Sequence, residues 1–281
     1  MFAGPLVDTY PLYGSPLQIA TILLAYLFFV LHVGPKFMKN RKPSNLKYIL
    51  VLYNVLQVGY NLYTLTLCIR EPLFWKQFVS FGCTQLRRSQ LKRFETLLCR
   101  LFWHRTMIAI LDLFDTVFFI LCKKQSHVTF PHVQHHFITL AALWTVGKYF
   151  TGEELVVALL VNSFIHPVMY VYYFVATLGR QYRKYLWWKK YLTVIQIVQL
   201  LIIIVYSIAS IWLSCKRNKT IIWLIIANTS FNLILFLNYF VKANSSKKLI
   251  NYEMPAHGSS QYGHDYFILQ QDNSEDYKKL I

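Results

Sequence analysis

The stretch YLTVIQIVQLLIIIVYSIASIWLSC, residues 191–215, contains no Asp, Glu, Lys or Arg. At about 1.5 Å of rise per residue it makes a helix longer than the roughly 30 Å hydrocarbon core of a bilayer. Outward from it, residues 14–35, 48–69, 125–147, 155–179 and 221–241 are equally free of these four residue types. Residues 106–122 form a seventh run, apolar apart from Asp112 and Asp115. The chain of 281 residues is 56% hydrophobic, above the roughly 45–50% of ordinary soluble domains. Membrane spans absorb that excess. The pattern predicts an all-α integral membrane protein with seven transmembrane helices. It excludes a soluble enzyme, a secreted disulfide scaffold and a nucleic-acid-binding domain, despite a net charge of +17.

Topology explains the charge better than nucleic acid does, because cytoplasmic loops of membrane proteins collect Lys and Arg. With residues 1–13 in the lumen and the spans filling 14–241, 17 of the 29 Lys and Arg residues fall on the cytosolic side. Most of the others fall in the connection between spans two and three, read here as a loop. Residues 1–13 carry no positive charge, so they lack the basic start of a cleaved signal peptide. Residues 242–281 turn polar and read as a disordered cytosolic tail. Lys278 and Lys279 in its final four residues are similar to the dilysine signal that retrieves membrane proteins to the endoplasmic reticulum.

Polar side chains inside spans are costly and face a cavity or another helix. Asp112 and Asp115 lie three apart with Thr116 beside them, and His132, His135 and His136 follow the i, i+3, i+4 spacing of one helical face. Asn162, His166, Met169, Tyr170 and Tyr173 share a face of span five, as do Thr193, Gln196 and Gln199 in span six; span two carries Asn54, Gln57 and Asn61, and span seven Asn238. The aspartates have no close intrahelical cation, so a span-four histidine is their expected partner. One histidine cluster supplies too few ligands for a di-iron centre, which leaves metal-free acyl transfer with imidazole as base or nucleophile.

The strings DTVFFILCKKQSHVTFPHVQHH (115–136), NSFIHPVMYVYY (162–173) and KYLWWKKYLTVIQIVQ (184–199) resemble the signatures of the fatty acid elongases of the endoplasmic reticulum. GPKFMKNRKP (34–43) and YNVLQV (53–58) are also similar. The resemblance implies helices two to seven forming a barrel around an acyl-chain tunnel. It implies condensation of a long-chain acyl-CoA with malonyl-CoA to 3-oxoacyl-CoA, carbon dioxide and CoA, without cofactor or metal. Separate reductases and a dehydratase complete the cycle, membrane lipid surrounds the protein, and homo- or hetero-dimers with other elongases are expected. In the family's ping-pong route His135 then carries the acyl group with His166 in the same chamber; in the alternative, a ternary complex, His135 or His136 acts directly as general base. His132, His136, Asp112 and Asp115 support the imidazoles. Asn162, Met169, Tyr170, Tyr173, Thr193, Gln196, Gln199 and Asn238 line the substrate site, and Lys123, Lys124, Lys184 and Lys189 receive the phosphates of CoA.

The chain departs from the family at several positions, Cys122, His127 and Pro131 among them, and above all at one turn: Ala109-x-x-Asp112-x-x-Asp115-Thr116 stands where the family reads Lys-x-x-Glu-x-x-Asp-Thr. The lost lysine motivates a competing expectation, a catalytically reduced relative that binds acyl chains or joins active elongases as a subunit. Pro167 follows His166 and should free the carbonyl of Ser163 inside span five. Asn218-Lys-Thr220 is a glycosylation sequon. Cys83 and Cys215 fall in segments placed in the oxidising lumen, where a disulfide persists. Peptide mapping without reduction should find them linked; recovery of both as alkylated free thiols would overturn the pairing and count against the topology.

Overall fold

The computed structural model describes residues 5–81, 83–150, 153–213 and 218–253. Among these there is helix and no strand. A short α1 (Pro5–Asp8) leads into α2 (Pro16–Phe28), whose N-cap Ser15 accepts from the backbone N–H of Leu17. α2 passes through a π-helical turn, Phe29–Val33, into α3 (Gly34–Met38). Then come α4 (Lys47–Ile69), α5 (Pro72–Val79), α6 (Arg88–Leu121) and α7 (Phe130–Tyr149). The chain continues as α8 (Val156–Leu178), α9 (Lys189–Leu213) and α10 (Lys219–Glu253).

Among the described residues four helical segments are long and apolar enough to cross a membrane: Pro16–Met38, Val156–Leu178, Lys184–Leu213 and Lys219–Asn238. They correspond to four of the seven expected spans. α4, α6 and α7 match the other three in position but not in hydropathy, and the reason is chemical. α4 buries Asn54, Gln57, Asn61, Thr64 and Cys68 while Leu52, Val55, Leu56 and Leu62 are exposed. Its polar stripe faces other helices and its apolar stripe faces outward, the reverse of a water-soluble helix. α9 likewise exposes Val198, Ile202, Val205 and Trp212.

Neighbouring helices follow one another in a closed order: α4 packs on α6, α6 on α7, α7 on α10, α10 on α9, α9 on α8, and α8 back on α4. α2 and α3 lie against α7 and α6 from one side. Two differences from the sequence reading follow. The connection between spans two and three is not a loop, because α5 and the first half of α6 occupy most of it; α6, with 34 residues, is about 51 Å long. α10 also runs to Glu253, past the expected boundary at 241; residues 254–281 lie outside the described residues. α8 is continuous through Pro167. Cys83 is disulfide-bonded and its Sγ lies 3.0 Å from the carbonyl oxygen of Leu213, while Cys215 lies outside the described residues. Cys68, Cys99 and Cys122 are free thiols.

α7 meets α6 and the N-terminal segment at Gly147, where an added Cβ would stand 2.6 Å from the Tyr13 hydroxyl and 2.9 Å from Phe102 Cβ. Tyr13 is itself fixed by a 2.8 Å hydrogen bond with Thr106 Oγ1, so it has little room to retreat. Gly147→Val should therefore destabilise the protein by about 1–3 kcal/mol, as overpacking of a closed contact does. Thermal unfolding in detergent checks this, and a midpoint equal to that of the parent would contradict it.

Candidate functional site

The polar residues of α4, α6 and α8 meet in an ordered ladder, rung by rung. On the first rung, Arg105 of α6 donates from Nη1 to Asn61 Oδ1 of α4 at 2.7 Å and from Nη2 to Asn162 Oδ1 of α8. On the second, Asp112 Oδ1 accepts from Gln57 Nε2 at 2.7 Å and from the Tyr170 hydroxyl at 2.8 Å, and Asp112 Oδ2 lies 4.0 Å from His166 Nδ1. On the third, the Tyr170 hydroxyl also reaches Asp115 Oδ2 at 2.8 Å, so one phenolic proton serves two carboxyl groups. Tyr53 closes this end, its hydroxyl donating to Leu111 O at 3.1 Å and accepting from Gln57 Nε2 at 3.0 Å. The order of partners, 105/112/115 against 162/166/170 and 61/57/53, shows that α8 runs parallel to α6 and that α4 opposes both.

Burial makes these bonds obligatory. Arg105, Asp112, Asn61, Gln57 and Tyr170 are all buried. A charged or amide group left unpaired there would cost about 1–3 kcal/mol or more. Three buried polar atoms of the ladder still have no partner: Arg105 Nε, Gln57 Oε1 and His166 Nδ1. Arg105 and Asp112 are seven residues apart on one face, about 10.5 Å along the axis. Two unit charges at that separation attract by about 1.6 kcal/mol at an effective dielectric of 20. Ala109 sits between them, buried and without a functional group.

The histidine box lies across from the ladder, on α7. His132 packs its ring 4.4 Å from His136, and His136 lies 5.7 Å from His135. His135 and His136 each lie within electrostatic reach of His166 on α8. His132 Nε2 is 3.0 Å from Thr116 Oγ1, which is 2.9 Å from the Tyr26 hydroxyl of α2. The expected pairing of aspartate with a span-four histidine is therefore corrected. Tyr170, Gln57 and His166 surround the carboxylates, and a threonine fixes His132, because Thr116 rather than Asp115 lies on the face of α6 turned to α7.

The remaining expected positions divide into two groups. Gln196 Nε2 reaches Met169 Sδ at 3.6 Å, Gln199 is buried, Thr193 is half-buried, and Tyr173 packs edge-on to Tyr170. These join the interior face. Asn238 does not: it is exposed on α10, whereas Asn232, 4% exposed and bonded to Asn228, is the inward asparagine of that helix. Lys123, Lys124, Lys184 and Lys189 are exposed at the end of the bundle nearest the histidine box. Beside them His127 lies on Phe119. Among the described residues no three His, Cys, Asp or Glu side chains form a group that could hold a metal.

Sequence reasoning missed Arg105, Tyr26 and Asn232. The seven-residue spacing from Arg105 to Asp112 places both on one face and was the available signal for the first. For Tyr26 there was none, since its partner Thr116 is ninety residues away.

The profile of the ELO family, described as the GNS1/SUR4 family, matches residues 11–249. Very long chain fatty acid elongase 4 of Homo sapiens is 35% identical over 246 residues, covering 86% of this chain and 76% of the relative. Very long chain fatty acid elongase 7 of Rattus norvegicus is 36% identical over 247 residues, 86% of this chain and 85% of the relative. Very long chain fatty acid elongase 1 of Mus musculus is 34% identical over 249 residues, 88% of each. The match runs through the histidine box and all three ladder helices, and on that evidence the chain belongs to the ELO family.

Proposed function

We propose that this protein is a fatty acid elongase of the endoplasmic reticulum membrane that condenses a long-chain acyl-CoA with malonyl-CoA. The observation that carries the reading is the cluster of His132, His135 and His136 on α7 together with His166 on α8, whose Nδ1 lies 4.0 Å from Asp112. The closed order of α4, α6, α7, α10, α9 and α8 supports a barrel of helices two to seven, with α2 outside as helix one. The acyl tail lies within the barrel, away from bulk water, so the activated acyl group is protected from hydrolysis.

His135 attacks the thioester carbonyl, forming an acyl-imidazole as the C–S bond breaks and CoA leaves as its thiol. Malonyl-CoA then loses carbon dioxide, and the electron pair of that C–C bond becomes an enolate. The enolate attacks the acyl carbon, the C–N bond to the imidazole breaks as that nitrogen takes up a proton from solvent, and 3-oxoacyl-CoA is released. Developing negative charge needs preorganised donors, and Gln196 and Gln199 stand on the interior face. Asp112 orients His166 through the Nδ1 side of its ring, as in other base–orienter pairs. Asn162 and Tyr170 act through the ladder, since both side chains are engaged in it. Lys123, Lys124, Lys184 and Lys189 form the positive mouth that steers CoA phosphates. With that mouth in the cytosol, the N-terminus is lumenal, and reductases and a dehydratase consume the product in the same membrane.

Purified protein with labelled malonyl-CoA and a panel of acyl-CoAs tests the reading. His135→Ala should abolish condensation while preserving a folded, monodisperse protein. Retention of more than about a tenth of parental turnover, a loss of less than about 1.4 kcal/mol, would exclude the nucleophilic role. A parent that forms no chain-extended product would overturn the activity itself and favour an acyl-binding subunit.

A further inference from the structure

We infer that Arg105 is a positioning residue for the condensation: a buried counter-charge that sets the register of α8 against α6 and so places His166. The inference rests on the elongase reading and concerns how its site is assembled. Arg105 is 3% exposed, and its guanidinium spans from α6 to both α4 and α8 through two amide oxygens. Among the described residues its hydrogen bonds go to neutral amides and none to a carboxylate, so its charge is not cancelled locally. Asp112 and Asp115 present two carboxyl groups within three residues, bonded only to Gln57, Tyr170 and Tyr53 side chains of neutral character. The cation and the carboxylates therefore balance across two turns of one helix instead of meeting as an ion pair. That separation leaves Asp112 Oδ2 turned to His166 and keeps Tyr170 and Gln57 on Oδ1.

The geometry links the rungs. Asn162 and His166 are one helical turn apart on the same face of α8, so the fork that grips Asn162 also fixes how far His166 stands along α6. A neutral side chain at position 105 would lose both the grip and the counter-charge. Ala109 lies between Arg105 and Asp112 on their shared face of α6, without a functional group. A lysine there would return the charge one turn nearer the aspartates but not the hold on Asn162.

Four full-length proteins separate these effects: the parent, Arg105→Gln, Arg105→Lys, and Arg105→Gln combined with Ala109→Lys. Each is purified in detergent, checked for monodispersity and thermal midpoint, and assayed for kcat and KM with acyl-CoA and labelled malonyl-CoA. Arg105→Gln should lower kcat per folded molecule at least tenfold while KM for malonyl-CoA stays within twofold. Arg105→Lys should keep an intermediate kcat, and the double variant should regain at least threefold over Arg105→Gln. Unchanged kcat in Arg105→Gln, with only a lower midpoint or yield, would make Arg105 structural and overturn the inference. If Arg105→Gln does not fold, Arg105→Lys decides: a parental kcat in it overturns the fork's role. No regain in the double variant overturns the counter-charge. A parent without condensing activity fails the elongase reading itself, which is a separate result from an active parent matched by an active Arg105→Gln.

Discussion

In a bilayer, a polar group on a helix must find its partner on a neighbouring helix, because neither water nor lipid will supply one. That constraint organises this protein. Arg105, Asp112 and Asp115 on α6 can be placed at depth only if α4 and α8 bring Asn61, Gln57, Asn162 and Tyr170 to the matching heights. A one-residue slip of any of the three helices rotates its polar stripe by about 100° and leaves several buried groups unpaired. The ladder thus specifies register more strongly than apolar packing does, since lipid competes with apolar contacts on equal terms.

The same requirement explains the inverted character of the helices and the form of the site. α4 turns a polar stripe inward and α6 buries Arg105, Thr106, Asp112 and Thr116 among its apolar residues, so hydropathy alone recognises the outward helices and passes over these two and α7. The histidines of α7 are then held against a wall that is already rigid. His132 is tied through Thr116 to Tyr26 of α2, so the helix outside the ring braces the ring's reactive face. On the other side Asp112 Oδ2 stands 4.0 Å from His166 Nδ1, near enough to act on its charge without a hydrogen bond.

Much of this was legible before any coordinates. The charge-free runs located the helices, and the spacing of His132, His135 and His136 and of Asn162, His166 and Tyr170 marked which faces turn inward. The periodicity of α4 put Asn54, Gln57 and Asn61 on one stripe, and that stripe is buried. What could not be read was which stripe meets which. Helical spacing fixes a face but not its partner, so Asp112 and Asp115 were assigned to the α7 histidines when Tyr170 and Gln57 stand closer. Arg105 escaped because one charge at the edge of a basic stretch looks like loop. Only the observation that α6 extends back to Arg88 places it inside. Asn238 lies close along α10 to the cytosolic lysines, but distance along a helix measures depth and carries no information about rotation, and Asn232 is the asparagine that turns inward.

The central claim is that the imidazoles facing each other across this ring join two acyl groups with loss of carbon dioxide. Mass analysis of the products of the purified wild-type chain, given a long-chain acyl-CoA and malonyl-CoA labelled in all three malonyl carbons, tests it most directly. The account predicts a 3-oxoacyl-CoA two carbons longer than the acceptor, carrying two labelled carbons, with one labelled carbon dioxide released per product. Recovery of the acyl-CoA unchanged, or its hydrolysis to free fatty acid without chain extension, would contradict it.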